Sequence, residues 1–255
     1  MTPDEARALL AGPFGLELMR FPLRFTKPAF FGIWPRRGDP LTVNNGSASL
    51  IRRGEEHFAI TCHHVLDGFR QKCAESKRAF FQVANCRLDP FAQLAEERSN
   101  RPDVAVMWLS AMQAAEITRD SNGIGEAFLE IEDARPQLIP EGTGIAFGGF
   151  PGGLRLQPMV AEINFGSYSC GATPVTTSRD DYLVCQFERE EWVRQGYEPE
   201  PATIGGISGC PVLRIHESEA GIISHSFAGI VYEYSPEFDL LYIVPAAAIY
   251  DLMGW

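Results

Sequence analysis

The chain has 255 residues, 45% of them hydrophobic and 22% charged, and a formal net charge of −11. That length gives one large or two small domains with ample core, and the composition is that of a globular protein. With net acidity, no lysine- or arginine-rich cluster and no apolar run of spanning length, the sequence argues against nucleic acid and membrane as partners.

Residues 3 to 11 read as a short helix. Thr2 can cap it, Pro3 suits its first turn, and Asp4 and Glu5 sit at its positive end. Gly12-Pro13 ends it. Such a helix packs on the body or serves as a partner-binding arm. The same two acids stand where a secretory leader would be basic, so no leader is expected. The six cysteines form no C-x-x-C pair and no zinc-type spacing. Reduced thiols and a cytoplasmic location are the expectation, with no metal and no other cofactor.

From Leu16 to Phe31 the chain is apolar and β-favouring, broken by Pro22, Pro28 and Pro35. Asn44-Asn45-Gly46 signals a turn. Residues 47–52 and 57–61 read as a hairpin that delivers His63-His64 at its end. Residues 78–84 form another strand, rich in aromatic and β-branched residues. Pro102 biases its neighbourhood toward extended backbone. Asp103 therefore stands at the mouth of a buried strand over 104–109, either as a solvated strand end or as the acidic partner of a histidine.

Residues 110–125 are small and polar, a loop or short helix crossing between two β units. The second unit begins near Gly142, with a strand within Gly144–Gly153 and further strands at 157–165 and 182–187. Outside its one strand, 166–204 reads as loop or short helix. Strands at 211–215, 220–223, 227–232 and 240–245 follow, and Pro245 opens a closing helix over 246–253.

The stretch Gly205-Gly206-Ile207-Ser208-Gly209-Cys210-Pro211-Val212 places a serine among glycines ahead of a strand. Glycine backbones can turn N–H groups inward around an exposed hydroxyl, as a nucleophilic serine requires. The alternative is a plain glycine-rich turn. In chain order the sequence holds Thr61-Cys62-His63-His64-Val65, then Asp103-Val104-Ala105-Val106, then Gly206-Ile207-Ser208-Gly209-Cys210-Pro211. This set resembles the trypsin-like (chymotrypsin-fold) serine peptidases of the disulfide-free bacterial type. Their pieces are Thr-x-x-His, Asp-(Val/Leu/Ile)-Ala-(Val/Leu) and Gly-x-Ser-Gly-x-Pro.

The resemblance covers about residues 20 to 253 and implies an all-β fold of two six-stranded antiparallel β-barrels with short N-terminal and C-terminal helices. It divides the chain into an arm (1–19), a first barrel with His64 and Asp103 (20–125) and a second barrel with Ser208 and the closing helix (126–255). It implies a serine endopeptidase acting on proteins or peptides, with Ser208 as nucleophile, His64 as base, Asp103 as its orienting acid, and the N–H groups of Gly206 and Ser208 as the oxyanion hole. His63 falls on a position that is small or polar in the family.

The same register puts Ala202 at the floor of the substrate pocket, which argues against a demand for lysine or arginine. Tyr232, Glu233 and Tyr234 fall on its wall. Tyr234 would narrow the pocket, whereas Glu233 would attract a basic side chain. Ile207 stands where cleavage-activated relatives carry an aspartate, so no activating ion pair is expected. Two alternatives remain at this stage: a silent binding module on the same fold, and a peptidase whose site forms only with a regulatory partner.

Overall fold

Eight strands build the first half of the molecule: β1 (Thr26–Ile33), β2 (Val43–Arg53), β3 (Glu56–Thr61), β4 (Ala79–Val83), β5 (Cys86–Leu88), β6 (Leu94–Arg98), β7 (Val104–Leu109) and β8 (Leu129–Glu130). They form one curled sheet in the order β5-β4-β1-β2-β3-β7-β6, with β8 added parallel to β2. The second half contributes β9 (Gly144–Gly149), β10 (Arg155–Met159), β11 (Glu162–Phe165), β12 (Tyr168–Ser178), β13 (Leu183–Gln186), β14 (Pro211–Glu217), β15 (Ile223–Ser235) and β16 (Leu240–Pro245). Six of these close a barrel in the order β12-β13-β16-β15-β14-β9, while β10 and β11 pair with each other outside it. The structure is a computed structural model that describes residues 3–37, 39–119, 128–159, 162–186, 201, 203–218 and 222–255.

The mostly β architecture is the one expected, with a difference in the first half. Its sheet is eight-stranded and curls without the ring of pairings that closes the second. The β4–β5 hairpin extends the β1 edge, and β8 adds beside β2. A core of fully buried side chains, among them Leu50, Phe58, Ile60, Phe81 and Met107, lies against this sheet. Each such side chain contributes roughly 1.5–3 kcal/mol. A second core, built on Phe147, Tyr168, Leu183 and Ile243, fills the barrel.

Five α-helices complete the described residues: α1 (Pro3–Leu10), α2 (Pro13–Arg20), α3 (His63–Glu75), α4 (Ala111–Thr118) and α5 (Ala246–Met253). α1, α4 and α5 match the sequence reading. α4 opens on a capping box between Ser110 and Gln113. Residues 13–20, read partly as β, are helix α2, because Pro13 starts a helix as readily as it ends one. This helix lies against β12 so closely that a Cβ on Gly171 would come within 3.2 Å of the Met19 backbone. The two ends of the chain thus exchange places. α2 rests on the barrel, while Ala246, Ile249 and Tyr250 of α5 belong to the core of the first sheet.

Four further readings are corrected. Asn44-Asn45-Gly46 is not a turn but lies inside β2, paired with Phe31, Phe30 and Ala29. Its glycine answers a close approach, since a Cβ there would meet Val65 at 2.8 Å and the Ser208 carbonyl at 3.0 Å. Residues 168–178, read as irregular, form the long barrel strand β12. A register shift between Cys170 and Thr173 breaks the alternation that would have revealed it. The single strand read over 157–165 is the β10–β11 hairpin. The two strands read around 220–223 and 227–232 are one strand, β15, from Ile223 onward. The expectations for 120–125, for 187–200 with its acidic run, and for Ala220 and Gly221 lie outside the described residues.

Candidate active site

Thr61, the last residue of β3, pairs with Ala105 of β7. The register therefore brings the chain leaving β3 beside Asp103, just ahead of β7. That chain enters α3, with Cys62 as N-cap and His64 in the first turn. The first N–H groups of a helix have no acceptor within it. Asp103 supplies one: its Oδ1 accepts the His64 backbone N–H at 3.1 Å, and its Oδ2 lies 2.6 Å from His64 Nδ1. One carboxylate thus caps the helix and orients the imidazole. Asp103 is largely shielded, whereas half of the His64 side chain is exposed. Among the described residues the imidazole Nε2 has no protein partner.

His63 turns away from Asp103. Its ring nitrogens lie 3.2 Å from Asp67 and 3.5 Å from Glu97, and Arg70 ties both carboxylates together. The adjacent histidines are thereby separated, one into an ion network and one against Asp103.

Ser208 lies in the loop before β14, and every carbonyl from Gly205 to Cys210 has a named donor. The Gly205 carbonyl accepts from Gly152 N–H at 2.7 Å, Ile207 from Cys210 N–H at 2.9 Å, Ser208 from Ser47 N–H at 2.8 Å, and Cys210 from Val231 N–H at 3.0 Å. The Gly206 carbonyl accepts from Ser47 Oγ at 3.1 Å and the Gly209 carbonyl from Ser49 Oγ at 2.8 Å. Gly206 and Gly209 adopt φ of 105° and 92°, which side chains resist.

The N–H groups are not all engaged. Those of Ile207, Gly209 and Cys210 are bonded, whereas among the described residues those of Gly206 and Ser208 donate to no protein acceptor. A trans peptide points its C=O and N–H in opposite directions. Fixing the Gly205 and Ile207 carbonyls therefore aims these two N–H groups away from their anchors.

His64, Asp103, Gly206 and Ser208 line one cleft of about 470 Å3, together with Tyr232, Glu233 and Tyr234. The Ser208 hydroxyl donates to the Tyr232 carbonyl at 3.3 Å, and among the described residues no hydrogen bond joins it to His64. Rotation about one side-chain bond moves that hydroxyl between staggered positions. Tyr232 offers the cleft this carbonyl, while its ring packs with Tyr242 and burial pushes its hydroxyl pKa up to about 12. Tyr234 is fixed by its hydroxyl, which donates to Asp239 at 2.6 Å. Glu233 is exposed. Ala202 lies outside the described residues.

Cys62 lies behind the pair, its Sγ within 4.8 Å of donor atoms of His64 and Asp103. Burial, with Asp103 and Cys210 nearby, pushes its thiol well above the usual range, and Sγ–H donates to the Val231 carbonyl at 3.3 Å.

Sequence reasoning missed the polar residues that carry the loop. Ser47 and Ser49 alternate along β2 with buried Ala48 and Leu50, so they share the opposite face. That alternation of small hydroxyls with apolar residues was the available signal.

No protein-family model and no curated protein matches the sequence. Solved structures do match over nearly the whole chain. The active form of the Rv3671c protease from M. tuberculosis is 12% identical, with 97% of this chain and 85% of that one covered at a TM-score of 0.48. The thermostable serine protease AL20 from an extremophilic microorganism is 14% identical, with 91% and 96% covered and a TM-score of 0.49. The scabies mite inactivated protease paralogue S-I1 is 10% identical, with 93% and 94% covered and a TM-score of 0.49. These are resemblances of fold, to trypsin-like serine proteases both active and inactivated. What the residues of this chain do rests on their own geometry.

Proposed function

We propose that this chain is a serine endopeptidase that cleaves protein or peptide substrates through an acyl-enzyme, with Ser208, His64 and Asp103 as its catalytic residues. The observation that carries the reading is the convergence, in one cleft, of an Asp103-oriented imidazole and a serine beside two unbonded N–H groups. Ser208 Oγ attacks the scissile carbonyl as His64 Nε2 takes its proton. Asp103 accepts from Nδ1–H, fixes the tautomer and stabilises the imidazolium. The oxygen that gains charge is met by the N–H groups of Gly206 and Ser208. Collapse breaks the C–N bond, and the proton passes from Nε2 to the leaving amine. Water, deprotonated by the same imidazole, then cleaves the ester and restores Ser208. Beyond substrate and water, the proposed steps draw on Ser208, His64, Asp103 and the two N–H groups.

The fixed carbonyls of the Ser208 loop support a hole assembled without cleavage of the chain. Ile207 is buried and offers no charge to a new terminus. In the substrate pocket, the anchored Tyr234 favours a narrow entrance, with Tyr232, Glu233 and Ala202 as its other determinants. The proposal includes the division at residues 20 and 126, which separates the acid–base pair from the nucleophile. Cytoplasmic residence belongs to it too, and six free thiols suit a reducing compartment.

One observation favours a second reading, a silent module or a peptidase ordered by a partner: the Ser208 hydroxyl is bonded to Tyr232 rather than to His64. A fluorophosphonate probe followed by mass spectrometry separates these. The intact purified chain should carry one adduct on Ser208, absent from Ser208→Ala, whose melting temperature should match wild type. No adduct supports the silent module. An adduct formed only in cell extract supports the partner.

A further inference from the structure

We infer that Ser47 is a positioning residue for the oxyanion hole, acting on catalysis from the opposite half of the molecule; this rests on the peptidase reading. Ser47 is fully buried in β2. Its hydroxyl donates to the Gly206 carbonyl at 3.1 Å and accepts the Phe150 N–H at 3.0 Å, while its own N–H donates to the Ser208 carbonyl at 2.8 Å. One residue therefore holds the peptides that follow both oxyanion donors.

The consequence follows from backbone geometry. Gly206 lies between two peptide planes. The preceding plane is fixed by Gly152 N–H at the Gly205 carbonyl, and the following one by Ser47 Oγ. Together these hold Gly206 at φ 105°, an angle that glycine leaves freely because it has no Cβ. Removing the hydroxyl takes the carbonyl anchor from the second plane, leaving it only the Ile207 N–H bond to the Ile204 carbonyl. The Phe150 N–H loses its acceptor as well, which loosens the segment whose Gly152 N–H holds the Gly205 carbonyl, and with that plane the aim of the Gly206 N–H. The charge that needs this donor develops only in the transition state. The loss therefore falls on kcat and leaves KM nearly unchanged.

Ser49 provides the internal control. It is equally buried on the same face of β2, and its hydroxyl donates to the Gly209 carbonyl at 2.8 Å. Ser49→Ala removes a comparable buried bond beyond the nucleophile without touching the planes around Gly206.

The experiment compares wild type, Ser47→Ala, Ser47→Thr and Ser49→Ala in melting temperature, in kcat and KM on a peptide ester or amide, and in affinity for a peptide aldehyde. The aldehyde adduct forms the tetrahedral oxyanion. Ser47→Ala should lower kcat by about 10- to 100-fold, less than the 10²–10³ typical of deleting a donor outright. It should weaken the aldehyde in proportion, with KM within about two-fold. Ser49→Ala should melt at a similarly lowered temperature yet keep kcat within about three-fold, and Ser47→Thr, which retains a hydroxyl, should restore most of the rate. If Ser47→Ala does not fold, Ser47→Cys replaces it, because a thiol has nearly the same shape and is only a weak donor.

Equal losses of kcat in Ser47→Ala and Ser49→Ala, or a raised KM at unchanged kcat, overturn the inference while the peptidase reading stands. A wild-type chain that neither turns over nor reacts at Ser208 with fluorophosphonate overturns both.

Discussion

On one side of the cleft, His64 and Asp103 sit where regular elements begin: His64 in the first turn of α3 and Asp103 at the head of β7. Strand register and a helix end bring them together, and a single carboxylate joins them through two contacts. On the other side, Ser208 and Gly206 sit in a loop whose shape comes from hydrogen bonds to distant segments, chiefly β2 and β15, with one more from the stretch after β9. The acid–base pair is thus a local product of secondary structure. The oxyanion loop is a product of the contact between the two halves. Damage on the first side should act on proton transfer, and damage on the second on the fit to the transition state.

The largest effect that sharpens this contrast is expected from Asp103→Asn. An asparagine cannot hold the imidazole in the same tautomer with a negative charge, and kcat/KM should fall by about 10⁴. The stability change should stay near ~1 kcal/mol, the scale of a weakened helix cap. Steady-state kinetics beside a denaturant melt check both halves of that statement. A loss of activity that merely tracked unfolding would break the comparison.

Gly46→Ala probes the other side. The new Cβ would lie 2.8 Å from Val65 and 3.0 Å from the Ser208 carbonyl. Overpacking of this kind costs about 1–3 kcal/mol. Because the clash presses on the carbonyl that Ser47 N–H holds, kcat should fall along with the melting temperature. A variant that melts early but keeps the wild-type kcat per folded molecule would show that the loop tolerates displacement of β2.

A thiol titration tests the two cores together. Cys73 is exposed and the other five cysteines are buried. A thiol reagent should therefore modify one group in the native chain and all six in denaturant. Two or more fast native groups would point to a looser core on one side.

The smallest expected effect lies away from the cleft, on β15. His225 stacks on Phe21 at 4.1 Å, and its pKa is lowered from 6.5 by burial and then by nearby His216. The folded state therefore binds this proton less readily than the unfolded chain does. The contribution is complete above pH 6.5 and is lost as pH falls from there toward the lower folded value. His225→Phe keeps the stacking and should flatten the fall in urea midpoint within that window. An unchanged slope would assign the acid sensitivity to other groups, while activity at neutral pH should not change.

Much of the fold was legible because alternation survives where strands are regular. β3, β4, β7 and β16 could be read almost to the residue. β12 could not, because its register shift breaks the period, and α3 could not, because its buried face is narrow, made of Val65, Leu66 and Phe69. The triad order was readable from three short motifs. The support beneath it was not: Asn44-Asn45-Gly46 has the composition of a turn, and only the approach of the Ser208 carbonyl explains a glycine within a strand.

The sequence by itself determined the β character of the chain, the positions of its main strands and the three residues that carry the proposed chemistry. The first two depend on local pattern and the periodicity of burial; the third rests on the resemblance that three short motifs carry. Tertiary structure decided how the chain ends exchange halves and which hydroxyls hold the Ser208 loop. Ser47 lies 159 residues from the Gly206 carbonyl it binds. No local pattern encodes such a contact, because it exists only once both halves have folded and their surfaces meet.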